Sequence, residues 1–137
     1  MVDISEDTLT DAAGNIDKAA VRATIDRLAA RAERDHASFS PPPDPPDESR
    51  ALSYLQDGVG NAIGIYILLR TGGRQYQFGT EEFHALERAM NQWFQLYAAC
   101  YDIDIESDVS IRTAAEVLLD TEDLQAVAEV LTGVSPS

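Results

Sequence analysis

The chain has 137 residues, with 24 acidic side chains against 10 basic ones and a formal charge of −14. Such a balance, with Lys18 as the single lysine, excludes nucleic acid and anionic membrane surfaces as expected partners, since both are held by clustered Lys and Arg. The length suits one domain burying roughly 68% of its unfolded surface, and Cys100, the sole cysteine, leaves no intrachain disulfide to staple it.

The acidity itself points to concentrated salt. Near 1 M salt the screening length is about 3 Å, so a carboxylate-rich surface that would repel itself in dilute buffer becomes tolerable and stays hydrated. The first residues, with Asp3, Glu6, Asp7 and Asp11, have neither the basic start nor the apolar stretch of a signal peptide. The longest apolar run, Ala62 to Leu69, is far short of the ~20 residues a membrane span needs. A cytoplasmic, non-membrane protein is expected.

In chain order, residues 1–14 are expected to fray. Val21, Ile25, Leu28 and Ala32 then form an alanine-rich stripe that predicts a first helix from about Asn15 to about His36. Residues 37–47 hold Pro41, Pro42, Pro43, Pro45 and Pro46, a stiff connector that reads as a spacer in preference to a ligand for a proline-binding groove. Leu52, Leu55, Val59, Ala62, Tyr66 and Leu69, spaced 3, 4, 3, 4 and 3, predict a long helix with Asp44 as N-cap, Pro45 in the first turn and a stop at Gly72. A rival for the join pairs residues 63–69 with 74–78 as a β-hairpin across Gly72 and Gly73.

Phe83, Leu86, Met90, Trp93, Tyr97 and Cys100 repeat the same spacing and predict a second long helix, capped by Thr80, with Glu81 and Glu82 against the positive end of its dipole. Ile111, Ala115 and Leu118, followed by Leu124, Val127, Ala128 and Leu131, predict a short helical hairpin broken at Asp120 and Thr121 and ended by Gly133. Residues 134–137 are expected to fray. The fold expected is all-α, a single domain of four to five helices, with two long antiparallel helices as its spine and the short hairpin docked at the C-terminal side.

The motifs that could carry chemistry are few. Glu33 with His36 and Glu81 with His84 have the Glu-x-x-His spacing of di-iron carboxylate bundles, but in an up-down bundle they would lie roughly 30 Å apart. Asp102, Asp104, Glu106 and Asp108 resemble a calcium loop, yet Ser107 stands where the turn glycine belongs and Thr113 where the bidentate glutamate belongs; Ile103 and Ile105 are expected to turn inward. Gly58, Gly60 and Gly64 each weaken a helix by ~1 kcal/mol relative to alanine. Gly60 and Gly64, one turn apart, mark a close contact, within the chain or with a second copy. Cys100 on an apolar stripe reads as an inert buried thiol, and no phosphate loop, hydrolase elbow, zinc spacing or dinucleotide fingerprint is present. No metal or cofactor is implied.

Residues 87–104, ERAMNQWFQLYAACYDID, and 113–134, TAAEVLLDTEDLQAVAEVLTGV, resemble a small family of uncharacterised proteins of halophilic archaea, the resemblance running over residues 48 to 134. It implies a salt-rich habitat and a helical domain and transfers no functional residues.

The function expected is therefore non-enzymatic: a salt-adapted protein-interaction module that self-associates as a homodimer or binds another protein. The second reading is a small-ligand or metal-binding helical protein using the face between Tyr66, His84 and Trp93. The residues singled out are Gly60, Gly64, Tyr66, His84 and Trp93.

Overall fold

The computed structural model of the chain describes residues 16–70 and 77–134. The segments 1–14 and 135–137, with Gly72, Gly73 and most of the 74–78 stretch, lie outside them. The described residues are helical without a strand, and the all-α expectation holds.

Helix α1, Lys18–Ser38, starts where Asp17 accepts hydrogen bonds from the backbone of Ala19 and Ala20. It buries the expected stripe of Val21, Ile25, Leu28 and Ala32, and adds Thr24, whose hydroxyl donates to Ala20 O at 2.8 Å. The proline connector that follows is tied down from outside. Arg50 stacks its guanidinium 4.4 Å from the Phe39 ring centre and donates from Nη1 to Ser40 O at 2.9 Å.

Helix α2, Glu48–Ser53, is capped by Asp47, whose carboxylate accepts from Arg50 N. Asp44, the cap expected from sequence, lies in the connector; a single proline in the first turn would be tolerated, but Pro46 disfavours the helical region for Pro45, and no such restriction follows Asp47. A π-helical turn, Tyr54–Val59, then leads directly into α3, Gly60–Arg70. Residues 63–69 are thus helical, which removes the hairpin's first strand. The wider turn also corrects the stripe. A π turn takes an extra residue, so the buried positions run Ala51, Leu55, Val59 at intervals of four, while Leu52 is left 42% exposed.

Helix α4, Thr80–Ala99, is capped by Gly79, not by Thr80; the Glu82 carboxylate reaches back to accept from Gly79 N at 2.9 Å. Helices α5, Ile111–Thr121, and α6, Leu124–Thr132, form the C-terminal hairpin. Its break falls at Glu122, left-handed at φ 53°, and at Asp123, the N-cap of α6, one to two residues beyond the predicted Asp120 and Thr121. Gly133, at φ 73°, ends α6 as expected. Val134 is not frayed: it is buried, and its carbonyl accepts from the Tyr97 hydroxyl at 3.0 Å.

Contacts at the helix ends give the directions. Asp47 N donates to Cys100 O, joining the start of α2 to the end of α4, while Tyr66 meets Phe83 at the opposite end. The two long helices are therefore antiparallel, as the matched stripes implied. Helix α1 runs parallel to α4: Arg22 faces Glu81, the Trp93 indole donates from Nε1 to Asp35 Oδ2 at 3.0 Å, and His36 Nε2 lies 3.1 Å from Gln95 Oε1. Trp93, Phe94 and Tyr97 fill the centre of the core with Ile25, Leu55 and Ile63.

Candidate functional site

Helix α1 concentrates positive charge in an acidic chain. Lys18, Arg22, Arg27, Arg31 and Arg34 are half of the 10 basic residues, and Thr24, Arg27, Arg31 and Arg34 follow one another at intervals of 3, 4 and 3, which places them on one helical face. They line a groove of about 290 Å³ together with buried Leu28, exposed Ala30 and Asn61 of α3. The three guanidiniums are lightly committed. Arg27 Nη2 reaches Thr24 Oγ1 at 3.3 Å, and Arg31 Nε sits 3.9 Å from Asp35 Oδ2, at the limit of an ion pair. Arg34 has no ion pair among the described residues. The arrangement offers planar forks suited to carboxylates beside the apolar side chains of Leu28 and Ala30.

The residues singled out from sequence divide. Trp93 is fully buried, with its only polar atom held by Asp35, so it is a core residue and no ligand platform. Tyr66 and His84 do come together, on a separate cleft shared with Arg70, Phe78, Phe83 and Arg112. Of the glycines, Gly60 makes the internal contact expected and Gly64 does not. A Cβ on Gly58 would fall 2.4 Å from Trp93 Cδ2, so Gly58 is the residue at which the backbone approaches a neighbour closely. On Gly60 it would meet Leu124 Cδ2 at 3.1 Å, a tight internal contact, and on Gly64 it would meet nothing within 4 Å.

The Glu-x-x-His pairs stay apart. With Gln95 beside His36 and His84 eleven residues earlier on the same helix, the two histidines are separated by about 16 Å of helix rise. Among the described residues no cluster of His, Cys, Asp or Glu is arranged to hold a metal ion.

The acidic loop between α4 and α5 is a structural element. Buried Asn91 donates from Nδ2 to Glu87 O and Val109 O, and its Oδ1 accepts from Ser107 Oγ at 2.6 Å and Val109 N at 2.9 Å. Glu87 Oε1 accepts from Ile111 N at 2.8 Å, holding the start of α5. Ile105 packs on the core, whereas Ile103, which follows Asp102 at φ 60°, is 42% exposed, contrary to expectation. Burial pushes the Cys100 thiol up to about 11 and raises the Tyr97 phenol well above its ordinary value. Both are poor nucleophiles in this setting.

The sequence reading followed apolar periodicity and passed over the groove. A count of cations by segment would have found it, since the arginines repeat the same 3 and 4 spacing as the core stripe beside them.

A family model described as a domain of unknown function, DUF8055, matches residues 19–136. The chain belongs to the DUF8055 family. The match begins within the first turn of α1, so the arginine helix is part of the DUF8055 domain, which the resemblance over residues 48 to 134 had left outside. No curated protein and no solved structure matches the chain. No helix among the described residues of this DUF8055 chain is long and apolar enough to cross a membrane.

Proposed function

We propose that this DUF8055 domain is a non-enzymatic protein-interaction module of a salt-rich cytoplasm, such as that of halophilic archaea, and that its α1 groove receives an acidic segment of the partner. The observation that carries the reading is the placement of Arg27, Arg31 and Arg34 together on one groove, beside Leu28 and Ala30, in a chain of charge −14. Guanidinium suits the setting better than ammonium would: it is more weakly hydrated, and its bidentate pairing is set by contact geometry, which salt screens less than long-range attraction. An acidic stretch with interspersed apolar residues would satisfy both the forks and the apolar side chains beside them. A second copy of this chain, itself rich in Asp and Glu, qualifies as such a partner.

The test uses a fluorescently labelled peptide alternating Asp and Leu, titrated against the full chain in about 2 M KCl, with scattering-based mass measured in the same buffer. The reading expects saturable binding that weakens at least tenfold in Arg27→Gln/Arg34→Gln, the scale of losing charge-assisted hydrogen bonds. If the partner is a second copy, the parent should also have dimer mass and the double variant monomer mass. Binding that is unchanged in the double variant would overturn it.

A further inference from the structure

A second site stands apart from the α1 groove. At the end of α3 and the start of α4, a cleft of about 640 Å³ is lined by Tyr66, Arg70, Phe78, Phe83, His84 and Arg112, with Thr80 on its rim. Its size falls in the range of small-molecule sites. Tyr66 stacks on Phe78 with ring centres 5.9 Å apart, and Phe83 meets both edge-on, at 6.4 Å from Tyr66 and 6.2 Å from Phe78. All three rings are only half-buried, so aromatic surface remains open to the cleft. His84 adds a further ring beside Phe83 and is exposed.

Two cations border the aromatic wall. Arg70, exposed at the last residue of α3, has no ion pair among the described residues. Arg112, on the first turn of α5, pairs among the described residues only with Glu116 on its own helix, at 3.3 Å and between two largely exposed side chains, a pairing that contributes little. Glu81 and Glu82 lie on the first turn of α4 nearby, and Glu82 is already engaged by Gly79 N. We infer that this cleft is a binding site for a small aromatic anion, a planar ring bearing a carboxylate or phosphate. The ring would lie against Tyr66, Phe78 and Phe83, and the oxyanion would be held by Arg70 and Arg112. The three rings alone would accept any flat apolar molecule; the two guanidiniums that also line the cleft select for the charge. This inference is independent of the α1 groove, since no residue lines both.

Isothermal titration of the full chain in about 1 M KCl with 2-naphthoate and 2-naphthyl phosphate tests it, with uncharged 2-naphthamide and non-aromatic cyclohexanecarboxylate as controls. The two anions distinguish a carboxylate from a phosphate ligand. At least one should bind, with both controls at least tenfold weaker, and amide NMR shifts should gather at Tyr66, Phe78, Phe83 and Arg70. Arg70→Gln, at an exposed position that leaves the core intact, should weaken the anion about tenfold. Absence of binding by both anions at millimolar concentration, equal binding of the amide, or unchanged affinity in Arg70→Gln would each overturn the assignment.

Discussion

Gly58→Ala separates two opposing effects at one residue. By helix propensity alone the change should stabilise the chain by ~1 kcal/mol. In the structure the new methyl would lie 2.4, 2.5 and 2.7 Å from Trp93 Cδ2, Cγ and Cε2, and the indole cannot swing aside, because it is fully buried and tethered to Asp35 through Nε1. Overpacking of this kind costs roughly 1 to 3 kcal/mol, and a clash with a rigid ring belongs at the upper end. Subtracting the propensity gain leaves a net loss of about 2 kcal/mol. For 137 residues at roughly 2.1 cal/mol/K per residue, the unfolding entropy is about 0.29 kcal/mol/K, and the midpoint should fall by about 7 °C.

Gly64→Ala is the matched control, since its methyl meets nothing within 4 Å; it should raise the midpoint by up to about 3 °C on the same scale. Thermal melts of both variants and the parent in about 3 M KCl, followed by circular dichroism and Trp fluorescence, measure the difference. A Gly58→Ala variant as stable as Gly64→Ala would refute the reasoning, because it would mean that the backbone and indole are not in the contact described.

Trp93→Ala should cost about 3 to 5 kcal/mol in a denaturant titration, the range for a large buried aromatic. Asn91→Ala should cost about 2 to 3 kcal/mol, because Val109 N and O and Ser107 lose their partner, and hydrogen exchange should show residues 105–110 released ahead of the helices. Lowering KCl from about 3 M to about 0.1 M should depress the melting midpoint steadily as the carboxylates lose screening; a midpoint independent of salt would contradict this. Because burial raises the Cys100 and Tyr97 protonation equilibria, the native state holds protons that the unfolded chain releases. Stability should therefore be unaffected by these groups below about pH 8.5 and should fall as pH rises toward about 11, with Cys100→Ala flattening part of that decline.

The spine was legible because both long helices carry unbroken apolar stripes, and their equal spacing matched the antiparallel pairing found. What escaped was local. The π turn at Tyr54–Val59 has no signature in propensity, and it moved the buried face from Leu52 to Ala51. Asp44 and Asp47 are equally good caps by type, and the second proline after Asp44, which disfavours the helical region for Pro45, decides between them. At the candidate sites, Tyr66 and His84 lie on different helices, and the antiparallel pairing brought them to one cleft. Trp93 stood both on the apolar stripe and among the candidate binding residues, and burial decides for the core; its hydrogen bond to Asp35 depends on the parallel register of α1 and α4, which no local pattern encodes. Gly60 and Gly64 had the spacing of a packing motif. The closest approach instead falls at Gly58, because the indole lies opposite that position.

The central claim is that the arginine face of α1 is the docking surface. It is tested most directly by mapping amide chemical shifts of the labelled full chain during titration with the alternating Asp-Leu peptide in about 2 M KCl. The perturbed residues should be Thr24, Arg27, Leu28, Arg31, Arg34 and Asn61, with α5 and the Tyr66–His84 cleft unaffected. Saturable shifts confined to any other face, with this groove silent, would contradict the claim.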